Sequence, residues 1–113
     1  MTVFVKFNIV NLETFGSVIK ALRIKHGLLL RQVAAVVEVD TSMVSKFEKG
    51  DRFPTKEQVE KIAALFNESS HTLYIYCLSS KLINEIGDKK ITEEVLEVAL
   101  SIAKQKGKNE INS

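Results

Sequence analysis

Apolar residues recur at intervals of three and four along most of the 113-residue chain, and short polar or glycine-containing breaks separate these periodic stretches. Such spacing places side chains on one face of an α-helix. We therefore predict an all-α fold of six helices. The predicted helices lie at about Phe15–His26, Leu30–Val37, Thr41–Lys49, Thr55–Phe66, His71–Ile86 and Glu93–Lys106.

The two ends of the chain follow other patterns. Residues 1–13 form an N-terminal segment in which a period of two favours a short strand or arm, with apolar side chains at Val3, Val5, Phe7 and Ile9. A frayed terminus is the alternative for this segment. After the last helix, we predict a disordered tail over residues 107–113.

Composition and charge narrow the class of protein. With 45% apolar and 27% charged residues, the chain has the composition of an ordinary globular protein. The net charge is +2, but nine Lys/Arg and six Asp/Glu between Phe15 and Phe66 give that part a surplus of +3. The single cysteine, Cys77, cannot form an internal disulfide. No apolar run approaches the roughly 20 residues of a membrane span, and no signal-peptide pattern opens the chain, so we predict a cytoplasmic protein.

The stretch from Asp40 to Gly50 carries the most informative pattern. Asp40 is a good N-cap, because its carboxylate can accept from first-turn amides, and Gly50 suits the left-handed residue that ends a helix. Val44 and Phe47 share the side that faces a core. The opposite side could face DNA, since it carries hydroxyls and a lysine, at Thr41, Ser42, Ser45 and Lys46. A solvated helix side is the alternative reading.

A short turn at residues 38–40 joins this helix to the preceding one, in the layout of a helix-turn-helix motif. Over about Phe15–Phe66 the chain resembles the Cro/cI-type (lambda-repressor-like, XRE) helix-turn-helix family. The resemblance implies a lambda-repressor-like five-helix bundle, followed by an extra C-terminal helix. Residues 14–78 would form the DNA-binding domain, whose third helix enters the major groove. The resemblance lies in the runs Ile19-x-x-Leu22-Arg23-x-x-x-Gly27-Leu28, Val33-Ala34 and Val39-Asp40-x-x-x-Val44-Ser45-x-Phe47-Glu48-x-Gly50-x-Arg52-x-Pro54.

The same resemblance implies which side chains would meet DNA. The base-reading positions fall on Thr41, Ser42, Met43, Ser45 and Lys46; hydroxyls suit several bases, and a lysine can reach guanine O6 and N7. Phosphate contacts would come from the turn after the third helix, through Lys49, Arg52 and Lys56.

Two further features follow from the resemblance. At the start of the second helix, the family usually has a Ser/Thr cap followed by a Gln that binds a phosphate. Leu29 and Leu30 occupy these positions here, so we expect Arg31 or Gln32 to make the phosphate contact instead. Extra packing is the alternative role of the two leucines. The family's structural ion pair between the first and third helices corresponds to Arg23 and Glu48.

The C-terminal helices carry more apolar residues than a small core needs. We predict that the extension over residues 79–106 forms a homodimer interface, and core packing is the alternative. The predicted interface residues are Leu82, Ile83, Val95, Val98, Ala99 and Ile102.

The function that these features favour is a sequence-specific regulator of transcription that binds double-stranded DNA as a homodimer. Three runs also resemble the small regulators of bacterial restriction–modification genes, at residues 28–35, 54–61 and 78–82. An antitoxin-like module that also binds a protein is the alternative. We predict no enzyme activity, metal, cofactor or small-molecule effector, because triads, phosphate loops and metal-ligand spacings are absent from the sequence.

Overall fold

A computed structural model describes residues 14–112, with side chains as far as residue 107. Within this range the protein has six helices and no strand, so the predicted all-α class is confirmed. The possible strand or arm in residues 1–13 lies outside the described residues. The helices are α1 (Phe15–Lys25), α2 (Leu30–Val37), α3 (Thr41–Lys49), α4 (Lys56–Phe66), α5 (Ser70–Ile86) and α6 (Lys89–Asn112).

The chain divides into two compact units, and the boundary between Lys81 and Leu82 lies inside α5. In the first unit, α3 packs against α1 and α2, and α2 packs against α4. Apolar stripes of α2, α3 and α4 are all buried in one core, including the stripe of Val44 and Phe47 that the sequence predicts for α3. They consist of Val33, Ala34, Val37, Val44, Phe47, Val59, Ile62, Ala63 and Phe66.

Local capping residues begin and end these helices. The Thr14 hydroxyl accepts from the Ser17 amide at 3.2 Å and starts α1. Thr55 and Gln58 form the reciprocal pair expected at the start of α4, with hydrogen bonds of 3.2 and 2.9 Å. Gly50 ends α3 in the left-handed conformation with φ of 81°, as predicted.

Asp40 departs from its expected role. It occupies the N-cap position of α3, but its side chain makes no capping hydrogen bond. Its backbone carbonyl accepts from the amides of Met43 and Val44 at 3.0 and 3.4 Å instead. Since that carbonyl is the normal first acceptor of any helix, α3 begins at the predicted residue without the predicted carboxylate contact.

The start and the end of α6 also differ from the prediction. The helix begins at Lys89 because the Asp88 carboxylate accepts from the Ile91 amide at 2.9 Å. Thr92, the residue before the predicted start at Glu93, is a buried residue within the helix, and its hydroxyl donates to the Asp88 carbonyl at 2.7 Å. Helix continues through Gly107, where we predicted a disordered tail, because a glycine in helical conformation weakens a helix without ending it.

One close approach between helices was not visible in the sequence. A Cβ atom on Gly16 of α1 would lie 2.6 Å from the Phe47 carbonyl oxygen and would also overlap the Glu48 carbonyl oxygen. These are backbone atoms of α3, and they cannot move aside as a flexible side chain would. The missing side chain at Gly16 therefore lets α1 rest directly on the end of α3.

We expect Gly16→Ala to lower the free energy of unfolding by roughly 1–3 kcal/mol, the usual cost of overpacking a core. Urea unfolding of the two proteins measures this difference. Gly107→Ala is the matched control, because its Cβ atom meets nothing within 4 Å. Equal stability of wild type and Gly16→Ala would contradict the close contact.

Cys77 lies in the core of the first unit at 1% exposure, and its Sγ atom donates to the Pro54 carbonyl at 3.9 Å. Burial raises the pKa of this thiol to about 11, since the thiolate would lose its hydration. The nearby Lys81 opposes this shift weakly. The thiol is therefore protonated at neutral pH, as a packed core residue.

This pKa predicts a pH dependence of stability. The folded protein retains the thiol proton to a higher pH than the unfolded chain, so the Cys77 contribution is complete below about pH 9 and is lost as the pH rises towards 11. The free energy of unfolding should fall more steeply over this window in wild type than in Cys77→Ala. If the free energy of unfolding had the same pH dependence in both proteins, the Cys77 thiol would not be shielded from water.

Candidate nucleic-acid interface

Helix α3 has one side in the core and one side on the surface. Val44 and Phe47 are 1% and 2% exposed and fix the inner side. Its outer side is polar, with Thr41, Ser42 and Lys46 exposed and Ser45 half-buried. The arrangement leaves hydroxyls and an ammonium group at the surface, where they can form hydrogen bonds with base edges.

Met43 differs from the other base-reading candidates. Its side chain is partly buried and packs against the core cluster. Only part of it remains at the surface, where its apolar atoms could touch a thymine methyl group. Met43 therefore lies at the edge of the polar side of α3.

An ion pair connects α3 to α1. The Arg23 guanidinium donates from Nε to Glu48 Oε2 at 2.7 Å and from Nη2 to Glu48 Oε1 at 3.1 Å. The two side chains are only 14% and 8% exposed. Hydrogen bonding to Glu48 raises the pKa of Arg23, so the guanidinium keeps its positive charge. The pair implied by the family resemblance is thus present as a bidentate, largely buried contact.

Arg23 has a further partner in the loop between α1 and α2. Its Nη1 atom donates to the Leu28 carbonyl at 3.0 Å. One guanidinium therefore holds three parts of the domain together: α1, the loop before α2, and α3. Because the planar group has donors in fixed directions, a lysine could not make the same three contacts.

The N-terminus of α1 is fixed by a residue distant in sequence. The Phe15 amide donates to the Ser80 hydroxyl of α5 at 2.9 Å. The sequence offered no signal for this contact, because Ser80 lies 65 positions away from Phe15. Ser80 thus helps to place the helix that supports α3.

At the start of α2, the departure from the family pattern has a structural consequence. The Gln32 side chain folds back, and its Oε1 atom accepts from the Leu29 amide at 2.7 Å. The Gln32 amide nitrogen remains a hydrogen-bond donor, and Arg31 beside it is exposed. Leu29 is 51% exposed, whereas Leu30 packs against the core, so extra packing accounts for only one of the two leucines.

The turn after α3 carries the other phosphate-binding candidates. The Lys46 carbonyl accepts from the amides of Asp51 and Arg52 at 2.9 and 3.4 Å. Lys49, Arg52 and Lys56 are exposed around this turn. The Lys56 ammonium lies 5.9 Å from the centre of the Tyr74 ring, close enough for a cation–π contact, and Tyr74 was not among the predicted residues.

Comparison with known proteins identifies one family. Residues 19–73 match the family model described as helix-turn-helix. No curated protein matches the chain. The matched range runs from the middle of α1 into α5 and includes all the candidate residues of α2, α3 and the following turn. In the part of the chain that the structure describes, every helix is too short or too polar to cross a membrane.

We expect Glu48→Ala to cost about 3 kcal/mol of stability, because it leaves the Arg23 charge largely buried and unpaired. The control is Lys61→Ala, which removes a more exposed pair of 3.0 Å with Glu38 and should cost less than about 1 kcal/mol. Denaturant unfolding measures both values. A Glu48→Ala protein no less stable than Lys61→Ala would show that the ion pair does not fix α3.

Proposed function

Because residues 19–73 are a helix-turn-helix domain of the Cro/cI type, the chain is a DNA-binding transcriptional regulator, and we propose that it reads a specific operator as a homodimer. The main support for this proposal is that one side of α3 is buried and the other is exposed and polar. Its inner side is held by the core and by Glu48, and its outer side is polar and exposed. A rigid helix with such a face can place side chains in the major groove reproducibly.

Base reading would come from the outer side of α3. Lys46 would donate to guanine O6 and N7, and hydroxyls would bond to exposed donors or acceptors of neighbouring bases. The hydroxyl groups belong to Thr41, Ser42 and Ser45, with Met43 making apolar contact at the edge.

Phosphate contacts would set the orientation of the domain on the duplex. Exposed cations lie before, at the end of and after α3: Arg31 precedes it on α2, Lys49 is its last residue, and Arg52 and Lys56 follow it. The Gln32 amide nitrogen would add a neutral donor at the start of α2. Such contacts strengthen binding to every sequence and do not distinguish bases.

A homodimer would supply the recognition length that one helix lacks. A single recognition helix contacts only a few base pairs, and two copies on half-sites one turn apart are the usual solution. The support for a second copy is the exposed apolar surface of the C-terminal unit. Of the predicted interface residues, Ile83, Val98, Ala99 and Ile102 are exposed, and Leu82 and Val95 are partly buried.

The regulated genes are proposed from the sequence resemblance. The runs at residues 28–35, 54–61 and 78–82 support control of restriction–modification genes, in the cytoplasm of a bacterium. The bound dimer would block RNA polymerase or recruit it, according to the position of the operator. Inspection of the adjacent genes tests this part directly: a methyltransferase or endonuclease gene beside this one supports it, and unrelated neighbours argue against it.

A second candidate is an antitoxin-like protein that binds DNA and also a protein partner. The exposed apolar side chains of α6 favour it, because they could be covered by another protein instead of a second copy. Co-purification of a stoichiometric partner from the native cell would support this candidate, and an isolated dimer with no such partner would reject it.

We expect Lys46→Ala to weaken binding to the operator by about 5- to 150-fold, equivalent to 1–3 kcal/mol, and to relax the preference at one base pair. The operator is first obtained by selection from random DNA, and affinities are then measured on it and on single-base variants. Arg52→Ala is the contrasting control, because loss of a phosphate contact should weaken all duplexes equally and lower the salt slope by about one. Unchanged sequence preference in Lys46→Ala would remove Lys46 from base reading.

A further inference from the structure

Lys56, the first residue of α4, has an aromatic neighbour on α5. Its ammonium group lies 5.9 Å from the centre of the Tyr74 ring. At this distance a cation is attracted to the electron-rich face of an aromatic ring. Among the described residues, the salt bridges join other side chains, and Lys56 is exposed. Its positive charge is therefore available to an anion from outside the chain.

Other contacts fix both sides of this pair. Tyr74 is half-buried and packs against the core cluster. Almost one turn later on α5, the buried Cys77 thiol donates to the Pro54 carbonyl at 3.9 Å, so this part of α5 lies against the loop before α4. The reciprocal cap of Thr55 and Gln58 fixes the first turn of α4. The aromatic ring and the backbone that carries the lysine are thus held within the same compact unit.

An unrestrained lysine is a costly ligand for a phosphate. Its side chain has many rotamers in water, and binding to a fixed anion removes most of that freedom. A partner that restrains the side chain before DNA binds lowers this cost. The ammonium group has three N–H donors, so contact with the face of a ring leaves donors free for a phosphate oxygen.

We propose that Tyr74 is a positioning residue for DNA binding, whose ring holds the Lys56 ammonium in place for a backbone phosphate. The proposal rests on the phosphate contact that the proposed function gives to Lys56, and it adds a residue of α5. The ring contact must persist in the complex, because a lysine that had to leave the ring would bind DNA more weakly. Tyr74 would strengthen binding to every duplex alike, since phosphates carry no sequence information.

Three variants separate the ring from the cation. Tyr74→Leu removes the aromatic face and keeps an apolar side chain, Tyr74→Phe keeps the face and removes the hydroxyl, and Lys56→Ala removes the cation. Positioning predicts that Tyr74→Leu weakens binding about two- to fivefold on every duplex, the range for an exposed cation–π contact. The matched control Tyr74→Phe should bind as wild type does. In a Lys56→Ala background, Tyr74→Leu should have no effect, because Tyr74 acts through Lys56.

Fluorescence anisotropy over a range of salt concentrations measures these affinities, on a short duplex of mixed sequence and on the selected operator. Lys56→Ala should lower the salt slope by about one. Tyr74→Leu should keep the wild-type slope, because the charged lysine can still reach the phosphate. Circular dichroism shows whether each variant is folded. NMR of the wild-type protein needs no variant: nuclear Overhauser contacts between the Lys56 side chain and the Tyr74 ring are expected both with and without DNA.

Several results would overturn the positioning role. They are Tyr74→Leu binding as tightly as wild type or more tightly, an equal loss with and without Lys56, and loss of the ring contact in the complex. Weaker binding by Tyr74→Phe would also overturn it and would assign the effect to the hydroxyl. Wild-type affinity in Lys56→Ala overturns it too and leaves base reading by α3 standing. If selection enriches no operator, the proposed function fails, whereas the mixed-sequence duplex still tests the contact between Tyr74 and Lys56.

Discussion

Two hydrogen bonds from the Arg23 guanidinium to the Glu48 carboxylate, at 2.7 and 3.1 Å, join α1 to the end of α3. Helix α3 has nine residues and is too short to be stable alone. Its orientation comes from this ion pair, from the buried side chains of Val44 and Phe47, and from the backbone contact that Gly16 permits. Every proposed base contact depends on these constraints, because an unsupported helix could not hold its outer side chains in a fixed position.

The support of α3 extends beyond its immediate contacts. Arg23 also binds the Leu28 carbonyl, and the Phe15 amide at the start of α1 is bound by Ser80 of α5. The charged and hydroxyl groups for DNA are consequently displayed by a domain whose helices are joined by these hydrogen bonds. The C-terminal unit has the opposite character, since five large apolar side chains of α6 are 42–60% exposed, at Ile91, Leu96, Val98, Leu100 and Ile102.

The sequence predicted what depends on neighbouring residues and missed what depends on distant ones. The buried stripe of α3 and its glycine end were readable, because helical spacing and left-handed φ angles have local signatures. The roles of Gly16 and Ser80 could not be predicted from the sequence, because each depends on a contact with another helix. At the start of α6 both Asp88 and Thr92 were suitable caps, and local preference could not choose between them. For α3 the N-cap residue was predicted correctly, but its capping atom was not. The candidate DNA contacts came from the family resemblance, and the structure adds their exposure and the commitment of Gln32 Oε1 to Leu29.

Selection of bound duplexes from random DNA by the full-length protein tests the central claim most directly. Two copies of α3 reading the major groove predict one enriched sequence with two-fold symmetry, whose half-sites lie about one helical turn apart. Recovery of a single asymmetric site would contradict the dimeric arrangement. Recovery of duplexes with no shared sequence would contradict sequence reading by α3 itself.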